Sequence, residues 1–264
     1  DDGRRRVRLR ERRILTLLAP ERRPGAGRAV ETGSGTGRER GAGRRVSAID
    51  VLKRPGCEGS TMADRRYDGL LLDHDGVLVS LCAASTLQAA AARAFADVGV
   101  PDPRPADLEA ITIRVSPSEL RETAGRYDVD PERLWRRRED RIEAALRAAV
   151  ENDEKTAYDD IGCLELVGVP LGIVSNNQRR IVEFVLGAYC ISEWFAVVHA
   201  RPPTVESLHE KKPEPTYLEA AATGIGCSNP LYVGDSESDV VAGRRAGVDT
   251  VLLRRGHNAD RRID

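Results

Sequence analysis

Lysine is scarce in this chain: four residues among 264, so arginine carries nearly all of the positive charge. Methionine occurs once, at Met62. The five cysteines, Cys57, Cys82, Cys163, Cys190 and Cys227, are odd in number and none stands in Cys-x-x-Cys spacing. That pattern argues against a disulfide framework and against a cysteine zinc site. No apolar run approaches the roughly 20 residues of a membrane span. The early cluster around Leu15 and Leu18 is too short, and too soon followed by charge, for a secretory signal. These absences lead to the expectation of a soluble, cytoplasmic protein without a membrane partner.

The net charge of −1 hides an asymmetry: residues 1–61 carry 16 Lys/Arg against 8 Asp/Glu, and the remainder carries 25 against 34. Residues 1–61 are rich in Arg, Gly and Glu and lack apolar periodicity, so they bury too little surface to offset ordering entropy. The expectation is a low-complexity basic N-terminal segment, disordered or upstream of a natural start at Met62. The alternative is a basic arm that touches nucleic acid through its phosphates. It lacks interleaved aromatics for base stacking, so nucleic acid is not an expected partner.

What is present begins with Leu70-Leu71-Leu72-Asp73-His74-Asp75-Gly76. A short apolar run suits a buried parallel strand. Its acids then stand at the carboxyl edge, where open α/β folds place ligands. Two positions apart on an extended chain, Asp73 and Asp75 point the same way and repel. A hard divalent cation such as Mg²⁺ resolves that conflict. A turn with solvated acids also accounts for the tetrapeptide, so it does not settle the matter alone. By the same alternation His74 faces away from the pair, as a packing residue or one that supports the acids without touching substrate.

Residues 83–98 have a helical stripe through Leu87, Ala91, Ala94, Phe95 and Val98. Ser116-Pro117-Ser118-Glu119 has the form of a capping box with proline at the first helical position. Asp130-Pro131 opens another helix, with Trp135, Ile142, Leu146 and Val150 on one face. Residues 81–154 therefore read as an all-helical insertion, longer than one crossover helix requires. From residue 155 the pattern alternates, with strands near 169–174, 195–199, 230–234 and 248–253. Helices fall near 178–188, 214–223 and 237–246, the latter two closed by Gly224 and Gly247. Short apolar strands alternating with helices predict an α/β fold, a doubly wound parallel sheet, made by residues 62–80 and 155–264.

Three further polar signals follow in order. Leu171-Gly172-Ile173-Val174 ends in Ser175-Asn176-Asn177, and Lys211-Lys212-Pro213-Glu214-Pro215 precedes a helical pattern. Leu231-Tyr232-Val233-Gly234 runs into Asp235-Ser236-Glu237-Ser238-Asp239. Read from the residues alone, Ser175 is either a helix N-cap or a phosphate ligand at a helix N-terminus. Asp239 suits an acidic helix start.

With Asp73-His74-Asp75-Gly76, this ordered set resembles the haloacid dehalogenase-like superfamily of hydrolases over residues 66–255. The similarity is to the phosphoglycolate phosphatase-like branch, in which an insertion after the first strand is a helical cap over the site. The resemblance implies that Asp73 is a nucleophile forming an aspartyl-phosphate, and that Asp75 is the acid and base. It implies phosphate binding by Ser175, Asn176 and Lys212, with Lys212 rather than Lys211 as the catalytic lysine and Lys211 a solvated loop charge. It also implies Mg²⁺ held by Asp73, Asp235 and the Asp75 carbonyl, with Asp239 binding through water or orienting Lys212. Gly76 lets the chain turn and approach the ligand.

The expected activity is a Mg²⁺-dependent phosphatase acting on a small phosphorylated metabolite. Asp75 argues against dehalogenation, since the dehalogenases of the family lack that second aspartate. A sugar phosphomutase shares all four motifs and stays open, as does a non-catalytic binding protein with a basic nucleic-acid-binding arm. Arg114, Arg121 and Arg126 are candidates to meet a substrate carboxylate in the cap. The sequence does not fix the substrate or the oligomeric state.

Overall fold

The computed structural model describes residues 67–260; the basic segment 1–61 and Met62 lie outside them. The described residues begin with strand β1 (Gly69–Leu72) and then make four helices, α1 (Ala84–Asp97), α2 (Pro105–Thr112), α3 (Pro117–Arg126) and α4 (Pro131–Glu151). The chain continues as β2 (Leu171–Gln178), α5 (Arg179–Ala188), β3 (Val197–Arg201), α6 (Thr216–Gly224), β4 (Pro230–Gly234), α7 (Glu237–Ala246) and β5 (Asp249–Leu252). All pairings are parallel, in the order β3-β2-β1-β4-β5. β1 is thus central, and the sheet grows outward from it in both directions. This is the doubly wound arrangement, with its switch point beside β1.

Strand alternation divides the sheet side chains between two cores. Leu70, Leu72, Ile173, Leu231 and Val233 join Ile181, Val182 and Val185 of α5 on one face. Leu71, Val174 and Tyr232 join Tyr217 and Leu218 of α6 and Ala242 of α7 on the other. Both faces are covered, which is why these strands read as continuous apolar runs.

The inserted helices gather a third core of Ala91, Phe95, Ile111, Leu120, Leu134 and Trp135, closed by Val205 and Leu208 from the segment after β3. Local chemistry sets their starts. Ser116 and Glu119 exchange the two hydrogen bonds of a capping box, with Pro117 at the first helical position. The Asp130 carboxylate accepts from the Glu132 and Arg133 N–H groups at 3.3 and 3.2 Å. α4 serves two cores: Leu134 and Trp135 face the inserted helices, while Ile142, Leu146 and Val150 pack toward the sheet.

Where the chain leaves and re-enters the sheet domain, its two linkers pair. Ser80 N–H donates to Thr156 O at 2.8 Å, Tyr158 N–H to Leu78 O at 3.0 Å, and Thr156 N–H to Ser80 Oγ at 2.9 Å. Some predicted boundaries move. β2 runs past Val174 to Gln178 through an irregularity between Ser175 and Gln178, so its polar end is strand rather than the start of the following helix. β3 begins at Val197, later than residue 195, because Ser192–Trp194 forms a single 3₁₀ turn. Gly224 lies in the last turn of α6, and it is Gly226 that takes the left-handed φ of +69°. Among the described residues no helix is long and apolar enough to cross a membrane.

Candidate active site

The carboxyl ends of β1, β2 and β4 bring together side chains that lie far apart in sequence. Asp73 follows β1, its N–H bonded to Val233 O at 2.9 Å, which extends the β1–β4 ladder by one residue. Asp73 Oδ1 accepts from its neighbour's N–H at 2.7 Å and lies 2.8 Å from Lys212 Nζ. Lys212 arrives on the loop before α6, and its ammonium is almost wholly buried. It lies 2.6 Å from Asp239 Oδ1 and donates to Val174 O at 3.0 Å and to the Tyr232 hydroxyl at 2.9 Å. Burial opposes its charge, but Asp239 and Asp73 outweigh burial and hold the ammonium above its ordinary pKa.

Asn176 fixes the backbone of this lysine. Its Oδ1 accepts from Lys212 N–H at 2.7 Å and its Nδ2 donates to Lys212 O at 2.8 Å. The Asn176 side chain is therefore engaged in placing Lys212. Ser175, buried in β2, accepts at Oγ from Asn177 N–H at 3.1 Å; the residue flanking α5 as N-cap is Gln178.

Asp73, Asp235 and Asp239 present oxygens that all lie within 4.8 Å of one another. Desolvation, and after it the charges of Asp239 and Asp235 working against Lys212, push the Asp73 carboxyl well above its ordinary range. Desolvation also raises Asp235, opposed by His257, whose Nε2 lies 2.5 Å from Asp235 Oδ2. Three carboxylates gathered this closely against one ammonium, that of Lys212, and the His257 imidazole leave a deficit of positive charge. A set of hard oxygen donors with that deficit fits a divalent cation such as Mg²⁺.

Asp239 is the least available of the three. Its Oδ1 is held by Lys212 and by the Tyr232 hydroxyl at 2.6 Å. Its Oδ2 accepts from the N–H groups of Asp235 and Ser236 at 3.2 and 3.0 Å and from Ser236 Oγ at 2.5 Å. Its carboxyl lies below the ordinary range: burial pulls it upward, but Lys212 and these hydrogen bonds prevail.

Asp75 does not join that cluster. The chain leaves extended geometry after Leu72, and Gly76 turns it at φ +84°. Strand alternation therefore stops short of the motif. The Asp75 carboxylate turns to Lys155, which is fully buried, and to Asn177 Nδ2 at 2.8 Å. Burial raises its pKa, but Lys155 and then His74 outweigh burial and hold the carboxyl well below the usual range. The repulsion expected between Asp73 and Asp75 is thus relieved by a separate lysine for each. His74 is buried but does not face away from the pair: its Nδ1 lies 3.3 Å from Asp75 Oδ2.

Lys211 is not a solvated charge. It is half-buried and donates from Nζ to Val115 O, between α2 and α3, at 2.5 Å. Burial, with Arg201 and Arg138 nearby, lowers its pKa to about 8. Of the cap arginines, Arg126 is engaged by Asp107 at 2.5 Å and Glu122 at 2.6 Å, while Arg114 and Arg121 are exposed. Lys155, His257 and Asn258, whose Nδ2 donates to Asp235 O at 2.7 Å, escaped the motif reading, while Asn177 and Tyr232 stood inside its motifs without an assigned role. Of the three outside the motifs, only Lys155 carried a sequence signal, as one of four lysines.

A parallel sheet wound from its centre, with an aspartate-lysine-aspartate centre at its carboxyl edge and helices inserted after β1, defines a class of α/β hydrolases. Residues 70–253 match the family described as haloacid dehalogenase-like hydrolase, and the chain belongs to that family. Phosphoglycolate phosphatase of Escherichia coli strain K12 is 36% identical over 108 residues, 40% of this chain and 41% of that protein. Phosphoglycolate phosphatase of Salmonella typhi is 34% identical over 102 residues, 38% of this chain and 39% of that protein. The alignments thus span about two fifths of the length of these curated relatives. The crystal structure of CbbY from Rhodobacter sphaeroides in complex with phosphate shares the fold, with a TM-score of 0.56 at 18% identity. That likeness covers 75% of this chain and 90% of that one.

Proposed function

We propose that this protein is a Mg²⁺-dependent phosphatase that hydrolyses a small phosphorylated metabolite through an aspartyl-phosphate. The observation that carries the reading is Lys212 Nζ, held 2.8 Å from Asp73 and 2.6 Å from Asp239 at the mouth of a parallel sheet. Asp73 is the nucleophile. Its carboxylate attacks phosphorus, the ester P–O bond breaks, and Asp75, having first taken up a proton against the pull of Lys155, delivers it to the departing alkoxide. Asp75 then takes a proton from the water that attacks the phosphoaspartate, which frees phosphate and restores Asp73. Lys212 neutralises charge on the transferring group, and Ser175 binds a phosphate oxygen. Asn176 acts here by fixing Lys212, and Asp239 by orienting it.

Mg²⁺, when bound, would be held by the carboxylates of Asp73 and Asp235 and the carbonyl of Asp75, and would supply further charge neutralisation. The curated relatives are phosphoglycolate phosphatases, so 2-phosphoglycolate is the first ester to assay. Purified protein should release free phosphate with Mg²⁺, and Asp73→Ala should abolish release while keeping the wild-type circular dichroism. A folded Asp73→Ala protein that still turns over would exclude the covalent route. Isomer formation without phosphate release would mark a mutase.

A further inference from the structure

The lysine that meets Asp75 belongs to none of the four motifs. Lys155 is fully buried, and its Nζ contacts the Asp75 carboxylate and Ser80 O, the latter at 2.6 Å. Its backbone is tied on both sides. Lys155 N–H donates to Ala149 O of α4 at 3.1 Å, and the Tyr189 hydroxyl donates to Lys155 O at 2.6 Å. Lys155 itself begins the second linker between the inserted helices and the sheet. Ser80, its other partner, belongs to the first linker, and the two linkers are hydrogen-bonded to each other. A lysine loses much hydration on complete burial and keeps that place only with fixed partners. The partners here are the acid of the site and the base of the insertion. The remaining groups facing Asp75 are Asn177, from β2, and His74.

We propose that Lys155 is a positioning residue, which clamps the Asp75 carboxylate to the paired linkers and so sets its reach toward the leaving oxygen by the position of the inserted helices. This rests on the phosphatase reading of the same site. Lys155 touches neither phosphorus nor the nucleophile; Lys212 fills that place. A linker movement carries Lys155 and Ser80 together, and the carboxylate follows them. Asn177 gives a stationary second hold from the sheet.

The test is kcat/KM for a series of phosphate esters, from 2-phosphoglycolate to p-nitrophenyl phosphate, in wild type and Lys155→Met. These values report leaving-group departure. A nitrophenolate needs little proton donation, and an alkoxide needs much. With Asp75 misplaced, kcat/KM for the alkyl ester should fall about 10²-fold and that for the aryl ester by roughly threefold or less. In an Asp75→Asn background, Lys155→Met should not steepen the leaving-group dependence further. Lys155→Gln keeps a donor for Ser80 O and should behave like Lys155→Met; it carries the test if the methionine variant does not fold. Equal losses across the series, or none, would overturn the positioning role while leaving the phosphatase reading intact. A wild-type protein inert toward every ester would overturn both.

Discussion

Gly76 illustrates how closely the site is built at the scale of one residue. It adopts φ +84°, a conformation that a side chain strains. A methyl group there would also meet Asp235 Oδ2 at 2.0 Å and His257 Nε2 at 3.1 Å. Gly76→Ala should therefore shift Asp235 out of the carboxylate cluster. We expect turnover about 100-fold below wild type, the scale of an ångström-sized misplacement. Stability should fall by about 1–3 kcal/mol for the left-handed backbone. Steady-state kinetics and denaturant titration check the two effects separately, and wild-type turnover would mean that Asp235 has room to move. The sequence made the motif residues legible because each stands where an apolar run ends or a helical pattern starts. Lys155 and His257 stand in no such pattern. Only the fold brings one beside Asp75 and the other beside Asp235.

Among elements, α4 holds the insertion to the sheet through a buried charge cluster. Glu139 Oε1 lies 2.5 Å from Arg138 Nη1, and Oε2 lies 2.7 Å from Arg201 Nη2 in β3. Both guanidiniums stand against the Trp135 ring, 4.9 and 5.0 Å from its centroid. Gln178 of β2 adds a hydrogen bond to Glu139 O at 3.0 Å. Glu139→Gln removes the one carboxylate and leaves two arginines buried without it. Breaking such a pair costs about 3–5 kcal/mol, which urea unfolding should register. A loss below about 1 kcal/mol would be the behaviour of a solvated surface pair. The helix itself was legible from Asp130-Pro131 and its apolar stripe. Its charged face was not, because Arg138, Glu139 and a distant Arg201 read as ordinary solvated residues until β3 is placed against them. The polar end of β2 was misread for a related reason: Ser175 to Gln178 read as the start of a helix, but β3 pairs with Ser175 and Gln178.

For the whole molecule, the doubly wound sheet and the helical insertion were both readable from apolar runs, their spacing and the capping residues. The division of labour between two lysines was not. Its consequence is a test of the metal that does not depend on turnover. A cation bound at Asp73 and Asp235 relieves their mutual repulsion in the folded state alone, so it should stabilise the fold by mass action. Adding Mg²⁺ to chelator-treated protein should raise Tm and restore phosphate release, and Asp235→Asn should lose most of the Tm response. A melting temperature indifferent to Mg²⁺ over the millimolar range would mean that the cluster is satisfied by Lys212 and His257.

The central place of β1 also shapes how the chain must assemble. Its partners are distant in sequence: Leu70 stands opposite Leu171 on one side and Leu231 on the other. The inserted helices contact near neighbours and can gather locally, whereas the sheet cannot close until β4 is available. Loop-closure entropy therefore falls almost entirely on one four-residue strand. By topology, a ribosome must finish most of the described chain before the strand that carries the nucleophile can find both of its neighbours.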